Sequence, residues 1–144
     1  MKKFKKLLSV FLAVAVICGL MMTVASAAVP YANYSASDRG TNRNCPWTSS
    51  LNMSDKKATA TITVQTRASG EQPAVLVASL NGETYTRIGY TLKLSNSDSI
   101  DAGHLLTVTD SKNAETIDTL IGARCNFTVM GLSAGNELKV GELK

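Results

Sequence analysis

"ATATITVQTR" (residues 58–67) alternates small or branched apolar residues with threonine and glutamine. Ala60, Ile62 and Val64 fall on one side of an extended chain, and Thr59, Thr61, Thr63 and Gln65 on the other. Successive side chains of a strand point to opposite faces, and β-branched residues suit a pleated, half-buried surface. The stretch therefore reads as a strand with one face in a core and the other in water. "RCNFTVM" (124–130) repeats the pattern, with Cys125, Phe127 and Val129 inward and Arg124, Asn126 and Thr128 outward. So do "HLLTVTD" (104–110), through Leu106 and Val108, and "ELKVGEL" (137–143), through Leu138 and Val140.

Between these lies "AVLVASL" (74–80), apolar at nearly every position, followed by "LNGE" (80–83). Asn-Gly between apolar runs predicts a two-residue hairpin turn, whose central residues both need φ > 0. That turn pairs Leu80 with Glu83, Ala78 with Tyr85 and Leu76 with Arg87. It assigns Val75, Val77, Ile88, Tyr90, Leu92 and Leu94 to the core. The other face then carries Leu76, Leu80, Tyr85 and Arg87, either as an exposed patch or as a second, covered core. "SNSDSIDAG" (95–103) and "GLSAGN" (131–136) read as loops, and "ETIDTLIG" (115–122) as a short strand. About seven strands with turn punctuation, and no long amphipathic helix, predict an all-β fold: an antiparallel β-sandwich, Ig-like or jelly-roll-like, over residues 58–144. Residues 28–57 are rich in Ser, Asn, Thr and Asp without sustained periodicity, and read as an irregular N-terminal segment tied to that core.

The first 27 residues have a different texture. "MKKFKK" is basic, "LLSVFLAVAVICGLMMT" is apolar and uncharged, and "ASA" (25–27) offers the small residues of a cleavage site. This order predicts a secretory signal peptide cut after Ala27. The competing reading is a retained anchor, because Leu7 to Val29 is long enough to span a bilayer. The chain carries 15 Lys and Arg against 11 Asp and Glu, but Lys2, Lys3, Lys5 and Lys6 lie in the leader, so the remainder is balanced at 11 against 11. No basic cluster is left to hold a phosphate backbone, so nucleic acid is not an expected partner. After cleavage no stable membrane insertion is expected.

Two cysteines remain beyond the leader, Cys45 and Cys125. An even pair in an exported chain reads as a disulfide, and closing a loop of this length is worth about 4.5 kcal/mol in the chain-entropy model. Trp47, two residues after Cys45, packs near that link or stands exposed as a stacking platform for a sugar ring.

Catalytic and metal chemistries find little support. One histidine, His104, and no GxSxG motif make a poor hydrolase inventory, and no cofactor is expected. Asn96, Asp98 and Asp101 offer oxygen ligands to calcium, but their spacing misses the EF-hand and suits Asx turns. The Thr59, Thr61, Thr63 row reads as an ordinary exposed strand face. In style the chain resembles small secreted proteins of Gram-positive bacteria, a likeness that carries no residue across. The expectation is a secreted or cell-surface-associated, non-enzymatic binding module for an extracellular glycan, a protein or its own copies. Its candidate contact residues are Leu76, Leu80, Tyr85, Arg87 and Trp47. The alternative is a secreted antagonistic protein, a bacteriocin-like toxin or an enzyme inhibitor.

Overall fold

Alternating polar and apolar residues do build this protein. The computed structural model describes residues 34–66, 73, 75–101 and 104–142; the leader and its cleavage site lie outside the described residues. Among the described residues nine strands follow one another: β1 (Ser35–Asn42), β2 (Cys45–Met53), β3 (Lys57–Gln65), β4 (Val75–Thr86), β5 (Thr91–Asp101), β6 (Leu105–Asn113), β7 (Leu120–Val129), β8 (Leu132–Ser133) and β9 (Leu138–Gly141). They form two antiparallel sheets, ordered β1-β2-β3-β6 and β5-β4-β7-β8, with β9 also pairing with β7. The inner faces meet in one apolar core, so the architecture is all-β and sandwich-like.

Within the segment expected to be irregular, Ser35–Asn42 and Cys45–Met53 form a hairpin. Arg43 and Asn44 both have positive φ, 46° and 64°, and join Asn42 directly to Cys45. This is the two-residue primed turn that matches strand twist. Cys45, Trp47, Ser49, Leu51 and Met53 of β2 face inward, so polar composition on one face had masked a strand.

"Asn81-Gly82" is not a turn. Neither residue has positive φ, and β4 runs unbroken for 12 residues. The hairpin closes instead at Arg87–Tyr90, where Gly89 takes φ 103° and Thr86 N donates to Tyr90 O at 2.9 Å. Gly82 serves a close approach: a Cβ there would strike the Arg124 carbonyl oxygen and lie 2.8 Å from Cys125 Cα on β7. Without a turn at 81–82 the parity of β4 never changes. Leu76, Ala78 and Leu80 are therefore inside, and Val75, Val77, Ser79, Asn81, Glu83 and Tyr85 outside. Ile88 and Tyr90, expected in the core, are exposed; Leu94 is buried as expected.

The stretch expected as a loop, 95–103, continues β5 to Asp101, because β4 offers a backbone ladder from Val75 onward whatever the side chains prefer. Asp110 of β6 accepts Ser95 N at 2.8 Å, and Asn96 Nδ2 donates to Thr109 O at 2.8 Å, which ties the two sheets along that side. Residues 115–119, expected as strand, instead form a loop before β7.

The outer face of the first sheet is paved with hydroxyls. Ser37, Ser50, Thr61 and Thr109 form one row across its four strands, and Ser35, Asn52, Thr59 and Ser111 another. Cross-strand hydroxyl pairs Thr59–Ser111, Thr61–Thr109 and Thr63–Thr107 lie at 2.9, 3.1 and 3.2 Å. The expected exposed threonine row is thus one column of a broader array.

Gly82→Ala is expected to lower stability by about 3 kcal/mol, because backbone rather than a flexible side chain occupies the space its methyl needs. Urea denaturation of the two proteins measures it; equal midpoints would disprove the close approach.

Candidate binding face

Sequence parity and strand register together assemble a polar strip on the outer face of the second sheet. Cross-strand pairing sets Asn81 against Asn126, Glu83 against both Arg124 and Lys93, and Arg124 against Lys139. Tyr85 Oη donates to Glu83 Oε2 at 2.8 Å, and Arg124 Nη2 donates to the same oxygen at 2.9 Å. The Arg124 guanidinium stands 5.9 Å from the centre of the Tyr85 ring, within reach of a cation–π contact. On its other side Arg124 Nε approaches Glu137 Oε1 at 3.9 Å, and Glu137 also accepts Asn126 Nδ2 at 3.4 Å and pairs with Lys139 at 3.1 Å.

These contacts fix protonation. The bonds from Tyr85 and then Arg124 hold the Glu83 carboxyl below its ordinary range. Burial, and then the bond to Glu83, push the Tyr85 phenol up. At neutral pH Glu83 is therefore ionised and the Tyr85 phenol is not.

Two shallow hollows share this face. One, of about 290 Å³, is lined by Asn81, Gly82, Glu83, Arg124, Asn126 and Glu137. The other, of about 210 Å³, lies between Tyr85 and Tyr90 and is completed by Thr86, Gly89 and Thr91. A wider depression of about 550 Å³ overlies the hydroxyl face near Ser37, Arg39, Thr48, Ser50, Thr61 and Thr63. It has more space but no aromatic ring, so it lacks the mixed stacking and hydrogen-bonding chemistry of the strip.

The expected contact residues do not converge. Leu76 and Leu80 are buried on the inside of β4, whereas Tyr85 is on the outside and Arg87 is exposed in the turn. The reason is parity: only a turn at 81–82 would have brought even- and odd-numbered residues to one side. Trp47 is 5% exposed and sits between two glycines that make room for it, since a Cβ on Gly40 or Gly135 would lie 2.6 or 2.9 Å from its ring. Of the five, Tyr85 alone belongs to the strip. Glu83, Arg124, Asn126 and Glu137 were missed, although the outward parity of Arg124 and Asn126 was legible.

Cys45 and Cys125 are free, buried thiols and form no disulfide. Both face the core, but from opposite sheets and at different levels. Cys45 follows a turn whose Asn42 Nδ2 bonds to Leu132 O and Ser133 O, beyond the far end of β7; Cys125 lies mid-strand, opposite Leu138. Burial pushes the Cys125 thiol up to about 12 and raises Cys45 as well, so neither is a ready nucleophile. His104 contacts Thr66, with Nδ1 3.3 Å from its hydroxyl, on the rim of β3. Asn96, Asp98 and Asp101 lie exposed along β5, and no metal-ligating cluster is found among the described residues.

No protein-family model matches this chain, and no curated protein matches it at a significant level.

One buried carboxylate stabilises the end of the sheet beside the Tyr85–Tyr90 hollow. Asp118 Oδ1 accepts Thr119 N at 2.7 Å and Ile88 N at 3.4 Å. Burial alone would raise its pKa, but these bonds and one from the Thr86 hydroxyl outweigh it and hold the carboxyl below its ordinary value. A depressed folded pKa contributes stability above the unfolded value, and that contribution is lost as pH falls through the folded one. Wild-type stability should therefore drop below about pH 4 more steeply than that of Asp118→Asn, measured by chemical denaturation across pH. For the thiols, iodoacetamide without reductant should leave native residues 28–144 unmodified and add two groups after unfolding in urea. An unchanged mass after unfolding would restore the disulfide.

Proposed function

We propose that the protein is an exported, non-catalytic binding module that holds a hydroxyl-rich glycan across the outer face of β4 and β7. The observation that carries this reading is the row Tyr85–Glu83–Arg124–Glu137–Lys139, in which a ring adjoins charges that largely neutralise one another. A strip with both signs paired internally has little field to select an ion, yet it keeps lone pairs and N–H groups for sugar hydroxyls. The amides of Asn81 and Asn126 add one donor–acceptor pair each beside it. Tyr85 supplies an apolar surface for a sugar ring, with its hydroxyl already committed to Glu83.

Shallow hollows suit a chain recognised from its side better than a small molecule enclosed for reaction. The non-enzymatic part of the reading draws support from Glu83, which is held ionised and so is a poor general acid, and from Cys125, whose thiol is pushed up to about 12. Export draws support from the basic, apolar and small-residue order of the leader. We further read the strand order as Ig-like rather than jelly-roll-like. β2-β3-β6 faces β5-β4-β7-β9, with β5 adding to the β4-β7 sheet as the extra strands of variable-type Ig domains do.

The test is glycan-array binding and affinity electrophoresis with purified residues 28–144, comparing wild type with Tyr85→Ala/Asn126→Ala. Both substitutions are on the outer face, so circular dichroism and urea midpoint should change little. Glycan affinity should fall at least about tenfold. Binding that survives the double substitution would remove the strip as the site, and a protein that retains no glycan would remove the ligand class.

A further inference from the structure

Three connections interlock at one end of the domain: the β2–β3 turn, the β4–β5 turn and the segment between β6 and β7. Lys56 Nζ donates to Thr116 O at 3.1 Å and to Asp118 O, and Lys56 O accepts Ala114 N at 2.8 Å. Arg87 N donates to Thr119 O at 2.9 Å, and Asp118 Oδ1 takes Ile88 N. Backbone held this firmly presents its side chains in fixed positions. Three of those are large, apolar and in water: Ile88 at 58%, Tyr90 at 62% and Ile117 at 87% exposure. A lone exposed isoleucine is ordinary, but three on interlocked turns at one end mark a contact surface.

Where the chain enters identifies the occupant. Tyr34 O accepts Met53 N at 2.8 Å, beside the β2–β3 turn, so the fold begins at this same end. The uncharged apolar stretch Leu7–Val29 lies just upstream, and the residues from Val29 to Tyr34 reach at most about 17 Å when extended. A link of that length keeps Tyr34 within about 17 Å of any bilayer that holds the stretch.

We propose that this end of the domain rests on lipid, with Ile88, Tyr90 and Ile117 entering the headgroup region while Leu7–Val29 still joins the domain to the membrane. Isoleucine supplies apolar area and tyrosine an amphipathic ring suited to that depth. The nearby charges, Lys56, Lys57 and Arg87 against Asp55, Glu115 and the buried Asp118, cancel in number, so the contact does not depend on anionic lipid. The inference is independent of the glycan reading.

The full chain, reconstituted into phosphatidylcholine vesicles with and without brominated acyl chains, tests it. In Ile117→Trp the new indole should be quenched about twofold, as for side chains reaching about 5–10 Å into the interface. The native Trp47, buried near the opposite end of β2, supplies the unquenched reference. Ile88→Trp should behave like Ile117→Trp, and replacing half the lipid with phosphatidylglycerol should change neither. Quenching no greater than that of Trp47 in protein that floats with the vesicles would overturn the proposal, as would a chain that stays in the aqueous fraction. Concentration-dependent cross-links between tips of two copies, without quenching, would overturn it in favour of self-association.

Discussion

β4 is hydrogen-bonded along both edges, to β5 from Val75 to Tyr85 and to β7 from Ala78 to Thr86. It can be so over its whole length because Gly82 leaves room for the β7 backbone at Arg124 and Cys125. Everything in the second sheet follows from that contact. An unbroken β4 keeps one parity, so its even-numbered residues close the core and its odd-numbered residues all face solvent. The same register brings Arg124 opposite Glu83 and Asn126 opposite Asn81. A side chain at position 82 would displace β7, and the polar strip with it.

The phases of β3, β6, β7 and β9 were legible because each has one wet face and one dry face. Ala60, Ile62 and Val64, like Cys125, Phe127 and Val129, are buried where alternation put them. β4 was not legible, since Val75, Leu76, Val77 and Ala78 are apolar on both parities and periodicity assigns no phase to such a run. The Asn-Gly pair then decided the reading, and did so wrongly. Nothing local distinguishes a glycine needed for φ > 0 from one needed for closeness to another strand. The first hairpin was hidden in the opposite way, by Ser, Thr and Asn on an exposed face and an Arg in its turn.

For the site, Tyr85 was visible as a residue type rich in binding capacity, but its partners were not. Glu83 and Arg124 are 41 residues apart, and only strand register brings them together. Cysteine arithmetic failed for a related reason. Counting an even pair says nothing about whether two core-facing sulfurs sit at the same level of opposing sheets. Trp47 packs, as the more ordinary of its two expectations had it, but beside no disulfide. Gly40 beneath it and Gly135 beyond it let one large ring bridge the first hairpin and the β8–β9 connection.

The hydroxyl array of the first sheet has a consequence for the chain as a colloid. Outside the leader, acidic and basic residues balance at 11 each, a composition that brings the isoelectric point near neutrality, where proteins ordinarily clump. Alcohols do not titrate anywhere a protein survives. Apart from Arg39 and Lys57, the broad side formed by β1, β2, β3 and β6 therefore keeps the same water layer in acid, in base and at zero net charge. Hydration of this face rests on dipoles rather than on charge, and added salt has little there to screen.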